Sequence, residues 1–190
     1  MMNHRLTLPT LAALVFLAAT PALAQKSIPP PKAPVSPMQM ASKKLDDTTY
    51  VKVTYHSPRI QDPKTGQKRA IFGKLVPYGE VWRLGANAAT ELTATADIEI
   101  AGKKLPAGTY ALFTIPQADK WTLIVNKDVG QWGAYKYNKD SDVLRVDVPV
   151  TKSADTHEAF TIAFDEKGTA LNFSWENTLV SVPVSPAKKG

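Results

Sequence analysis

The chain has 190 residues, a net charge of +6 at neutral pH, 44% hydrophobic residues and no cysteine. The lack of thiols excludes disulfides, thiolate metal sites and a cysteine-linked lipid anchor together. The basic surplus is scattered in pairs (Lys43 with Lys44, Lys103 with Lys104, Lys188 with Lys189). Nucleic-acid binders concentrate such charge on one face, so no nucleic-acid partner is expected.

Residues 1–24 read as a signal peptide. Arg5 supplies a positive start, Leu11 to Ala19 is an apolar run too short to span a bilayer, and Ala22-Leu23-Ala24 offers the small residues a signal peptidase reads. Cleavage is expected between Ala24 and Gln25, giving a periplasmic or secreted protein that does not span the membrane. Arg5 is the one charged group removed, so the net charge of the mature chain falls to +5. Residues 25–48 read as a spacer, because Ser27 to Pro37 is rich in proline, poor in backbone donors and unable to pack a core.

From Thr49 the period is two. Val51, Val53 and Tyr55 alternate with Lys52 and Thr54, and Asp62-Pro63-Lys64-Thr65-Gly66 has the chemistry of a turn. Arg69 to Phe72 and Glu80 to Leu84 read as short extended pieces around the turn at Pro77-Tyr78-Gly79. Leu92 to Ile100 is the cleanest alternation, with Leu92, Ala94, Ala96, Ile98 and Ile100 on one face. Tyr110 to Ile115 and Trp121 to Asn126 form a hairpin across Pro116 to Asp119. Lys127 to Asp142 lacks periodicity and carries Trp132, Tyr135 and Tyr137. Strands resume over Leu144 to Val150, Phe160 to Phe164, Leu171 to Trp175 and Thr178 to Val184, while Thr151 to Glu158 has room for one or two helical turns at most. The expected fold is all-β: an antiparallel, jelly-roll-like β-sandwich of about nine or ten strands over residues 49–184, with 185–190 as a disordered tail. A domain near 150 residues hides roughly 70% of its unfolded surface, so burial can hold it without staples.

Four stretches carry a resemblance: Tyr55 to Arg59, Ile71 to Asn87 (with Val76-Pro77-Tyr78-Gly79 and Val81-Trp82-Arg83), Leu105 to Phe113, and Trp175 to Thr178. Together they resemble a bacterial family of exported proteins, the domain-of-unknown-function family numbered 2911. The resemblance spans roughly Thr49 to Val184 and implies an extracytoplasmic, mostly β domain with no assigned activity. Leu84 departs from the threonine expected there, whose hydroxyl would have been available to a ligand.

The stretch from Phe72 to Glu91 gathers aromatics, a guanidinium, an amide and a carboxylate. Trp82 and Leu84 point to one face of an extended piece and Arg83 to the other. Arg83 either pairs with Glu91 or Glu80 to pin a loop, or joins Asn87 in flanking a concave site for a carboxylate, phosphate or sugar. His56 and Ser57, as strand neighbours, point apart and make a poor base and nucleophile. No histidine spacing signals a metal, and no metal or cofactor is expected. Glu80, Glu91 and Glu176 are candidate carboxylates for glycoside hydrolysis. The leading expectation is a non-catalytic binding or envelope-associated module for a small polar, anionic or carbohydrate-like ligand, held by Tyr78, Trp82, Arg83, Asn87 and Glu91 with Arg59 and His56. The alternatives are a hydrolase using Glu91 with His56 or Glu176, and a purely structural domain.

Overall fold

The computed structural model describes residues 35–188. The expected signal peptide, the first part of the spacer and the end of the tail lie outside them. Strands form where alternating apolar residues coincide with backbone donors free to pair. There are nine: β1 (Met38–Lys44), β2 (Tyr50–His56), β3 (Thr90–Ala94), β4 (Ile98–Ile100), β5 (Lys103–Leu105), β6 (Gly108–Pro116), β7 (Lys120–Asn126), β8 (Asp142–Phe164) and β9 (Ala170–Pro186). A single 3-10 turn at Lys139–Ser141 is the one helical element among the described residues. The strands pair antiparallel in one continuous order, β1-β2-β3-β6-β7-β8-β9-β4-β5.

That sheet is rolled, on geometric grounds. Only Thr95, Ala96 and Asp97 separate β3 from β4, yet these strands stand five places apart in the sheet. A flat sheet would hold them roughly 24 Å apart at about 4.8 Å per strand. Four Cα steps reach about 14 Å at most. Backbone ties also join the segment after β2 to the middle of β8, Ile60 N donating to Glu158 O at 2.8 Å and Phe160 N to Pro58 O at 2.8 Å. The all-β, antiparallel expectation is met by this rolled sheet, an arrangement compatible with a sandwich.

The rolled sheet encloses the core. Val51 and Val53 of β2, Leu92 of β3, Leu112 of β6, Phe160 of β8 and Phe173 of β9 are wholly buried. Each such side chain contributes about 1.5–3 kcal/mol of burial. A second, smaller cluster forms on the outer face of β6 and β7, where Ala111, Phe113 and Ile124 lie beneath Ala134 and Tyr137 of the aperiodic loop. That loop cover explains why β6 is buried on both faces along most of its length.

Several boundaries differ from the sequence reading. Met38–Lys44, placed in the spacer, is a strand paired in full register with β2. Pro37 is the last proline before Pro58, so every residue of β1 keeps its amide, and only Ala41 turns inward. Ser185 and Pro186, placed in the tail, pair with Glu99 and Ile98 of β4. The run Leu92 to Ile100 breaks at the bend over residues 95–97, which sends its two halves to different parts of the sheet. Thr151 to Glu158 is not helical but an irregular stretch of β8, with register shifts either side of His157. The last two expected strands merge into β9, kinked where Glu176 adopts a φ of 51°.

Candidate functional site

The segment from Trp82 to Thr90 is an irregular loop clamped at several points. Trp82 exchanges backbone hydrogen bonds with Thr114 of β6, at 2.7 and 2.8 Å. This turns its indole inward among Phe72, Trp121, Phe160 and Trp175, with ring centroids 5.1 to 6.2 Å away. The Trp82 indole donates to Gly85 O at 3.0 Å. Leu84 takes a φ of 52° and is wholly buried, so a core contact occupies the position where the family resemblance led to an expectation of threonine. Gly85 follows at a φ of 156°, and a Cβ there would lie 2.8 Å from His56 O. Thr90 closes the loop by donating its amide to Arg83 O at 3.1 Å and its hydroxyl to Leu84 O at 2.5 Å.

With Trp82 directed inward, Arg83 faces a cleft of about 360 Å³ whose wall includes Pro58, Arg59, Val76, Trp82, Arg83 and Trp175. Binding pockets commonly measure about 300–1,000 Å³. Arg83 Nε is buried and has no hydrogen-bond partner among the described residues, nor does Arg83 form an ion pair there. Trp175, 1% exposed, likewise leaves its Nε1 without an acceptor among the described residues. Burial lowers the pKa of the Arg83 guanidinium from its usual value, with Tyr135 opposing. An arginine so shifted still carries its charge at neutral pH.

Arg69, at the cleft's rim, behaves differently. Its Nη2 donates to Arg59 O at 2.6 Å, its Nε to Ile60 O at 3.4 Å, and its Nη1 lies 3.8 Å from Asp62 Oδ2. It fastens the 59–69 loop. Asp62 in turn accepts from the Lys64 and Thr65 amides, and these bonds, ahead of the Arg69 charge, lower its pKa.

The structure brings together three of the seven residues proposed from sequence: Arg59, Trp82 and Arg83. His56 and Glu91 line a separate pocket of about 150 Å³ beside Tyr55 and Met38. Tyr78 lies in a third cleft, with Lys152, Ser153 and Glu176. Asn87 lines none of the three. It takes a φ of 56° and donates its side-chain amide to Ser36 O at 3.4 Å. Glu91 meets neither Arg83 nor Glu176 but accepts the Gly130 amide at 2.7 Å, tethering the aperiodic loop. Ser57 is buried and donates to Phe160 O at 2.7 Å, so its hydroxyl is taken up by the fold. His157 is half-buried on β8 with Nε2 3.1 Å from Ser153 Oγ. Of the loop aromatics, Trp132 and Tyr135 are exposed, whereas Tyr137 packs edge-on against Phe113. No cluster of three or more His, Cys, Asp or Glu side chains suited to a metal occurs among the described residues. No described helix is long and apolar enough to cross a membrane.

Sequence reasoning missed Trp175 and Arg69. An inward tryptophan on an alternating strand reads as core, which Trp175 is. That it also lines a cleft depends on the rolled sheet bringing β9 beside the Trp82 loop.

A family model described as "Protein of unknown function (DUF2911)" matches residues 36–184. The chain belongs to this family. The match begins two residues before β1 and ends within β9, so the DUF2911 domain takes in the edge strand as well as Arg59, Arg83 and Trp175 of the cleft. No curated protein and no solved structure matches the chain.

Proposed function

We propose that this DUF2911 domain is an exported, non-catalytic binding module whose ligand occupies the cleft between Arg83, Arg59 and Trp175. One observation carries the reading: the buried Arg83 Nε finds no acceptor within the described residues, yet Arg83 lines an open cleft. A buried donor without a partner costs about 1–3 kcal/mol, and an acceptor arriving with a ligand removes that penalty. A purely structural arginine would have its acceptors in the fold. The hydrolase alternative has less support. His56 and Glu91 do share a pocket, but the Glu91 carboxylate is engaged by Gly130, and Glu176 lines a different cleft.

Calorimetric titration with small carboxylates, inorganic phosphate, sulfate and simple sugars tests the reading. At least one class is expected to bind wild-type protein and to lose most of that affinity in Arg83→Ala. Failure of every class, or binding that Arg83→Ala leaves intact, overturns it. The exported location rests on residues 1–24 and has its own test. Protein recovered from the periplasm or medium is expected to begin at Gln25, and a cytoplasmic protein retaining Met1 would contradict it.

A further inference from the structure

The residues that line the cleft have unpartnered buried polar atoms of one kind. Arg83 Nε and Trp175 Nε1 each carry a hydrogen and neither can accept one. The buried oxygens that lack a partner, Thr114 Oγ1, Gln131 Oε1 and Asn172 Oδ1, belong to residues that do not line the cleft. What these two buried donors lack is therefore an acceptor. A sugar matches this pair less well, because each hydroxyl that accepts from them also brings a proton that neither can take up. A phosphate dianion brings a second negative charge beside Asp62, whose lowered pKa keeps it ionised on the same rim. A carboxylate brings two acceptor oxygens, one charge and no proton.

The remaining wall describes the rest of the ligand. Pro58, Pro63, Leu75, Val76 and the Trp82 ring offer apolar surface, and Leu75 is 46% exposed. Arg59 is exposed and makes no side-chain hydrogen bond or ion pair among the described residues, so its charge is available to draw an anion in. Resting on the binding reading above, we infer that the ligand is a monocarboxylate with an apolar or aromatic body. Its carboxylate is held by Arg83 and Trp175, and its body lies against Val76, Leu75 and Trp82.

The test is titration of the full mature chain with phenylacetate and hexanoate, against methyl phenylacetate, inorganic phosphate and glucose. Both free acids are expected to bind, and the ester at least roughly tenfold more weakly, since it loses the charge-assisted hydrogen bonds. Trp175→Phe keeps an aromatic ring but removes the N–H, and is expected to weaken the acids by roughly tenfold. Arg83→Gln should weaken them further. Thermal melts of both variants serve as folding controls. Should Trp175→Phe fail to fold, the ester comparison on wild-type protein decides alone. An ester that binds as tightly as its acid overturns the carboxylate assignment. Arg83-dependent binding of phosphate or glucose, with neither acid bound, overturns it while leaving the binding reading intact. If no probe binds in an Arg83-dependent way, both fall.

Discussion

Arg83 and Arg145 are both half-buried guanidinium groups, and the protein treats them in opposite ways. Arg145 Nη1 donates to Asp142 Oδ2 at 2.7 Å and to Tyr137 Oη at 2.9 Å. Tyr137 donates to the same carboxylate oxygen at 2.7 Å, and Asn126 Nδ2 serves the other at 2.8 Å. Every member of this network therefore has a partner, and together they bind the end of the aperiodic loop to β7 and β8. Arg83 has a backbone clamped by Thr90 and no acceptor for its Nε among the described residues. The difference teaches where to look for function. A paired interior charge stabilises the fold, while an unpaired one lowers stability and persists where something outside the chain completes it.

The largest expected effect lies on the satisfied side. Asp142→Ala leaves Arg145, Tyr137 and Asn126 without their common acceptor, in a site where the carboxylate is only 8% exposed. Loss of one partner from such a pair costs about 3–5 kcal/mol, measurable by denaturant titration. Affinity at the cleft is expected to hold, because none of these residues lines it. A stability loss under 1 kcal/mol would break the comparison by showing the network to be slack.

Gly85→Ala comes next and probes the Arg83 loop. Its new Cβ would lie 2.8 Å from His56 O, a backbone atom fixed by its bond to the Ala86 amide at 3.2 Å. The expected loss is about 1–3 kcal/mol, together with weaker binding, since the loop must shift where it lines the cleft. Stability loss without any change in binding would separate the loop from the site.

Alkaline pH sharpens the Arg145 side. The Tyr137 phenol is pushed from 10.0 up to about 12, first by burial and then by its hydrogen bond to Asp142. The folded state then holds that proton more tightly than the unfolded state does. Its contribution is whole below pH 10 and is lost as pH rises from 10 toward 12. Tyr55 is also raised, chiefly by burial. The quantity to measure is therefore the difference in slope between wild type and Tyr137→Phe over that window. Identical slopes would remove Tyr137 from the network.

The interior is largely legible in the sequence. Val51, Val53, Leu92, Ala94, Ile98 and Ile100 are buried as their alternation requires, even though a bend divides the last four between two strands. The bend itself was hidden, because Thr95, Ala96 and Asp97 continue the period while the backbone leaves the strand. β1 was hidden for the opposite reason. Met38, Gln39 and Met40 are exposed and carry no alternation, so pairing with β2 defines that strand in place of a buried stripe. At the site, the strand rule placed Trp82 and Leu84 inside and Arg83 outside. It could not separate Asn87 and Glu91 from Arg83, since left-handed turns at Leu84 and Asn87 reset which way each side chain faces. Trp175 is distant in sequence and joins the cleft only through the roll of the sheet.

The smallest expected change in stability tests the comparison most directly. Arg83→Met keeps a long flexible stem on the same cleft wall and removes the guanidinium. If that group is an unpaired charge held for a ligand, its loss relieves a desolvation penalty and breaks no protein bond. Stability should then stay level or rise by up to about 1 kcal/mol, while the ligand affinity of the cleft collapses. The same replacement at Arg145 should destabilise, because Asp142 and Tyr137 would lose a donor. The two arginines thus serve as each other's control, being alike in charge and burial class and opposite in partnership. A loss of 2 kcal/mol or more at Arg83, matching Arg145→Met, would mean that the fold itself supplies the acceptor for Arg83. The cleft would then hold a structural charge.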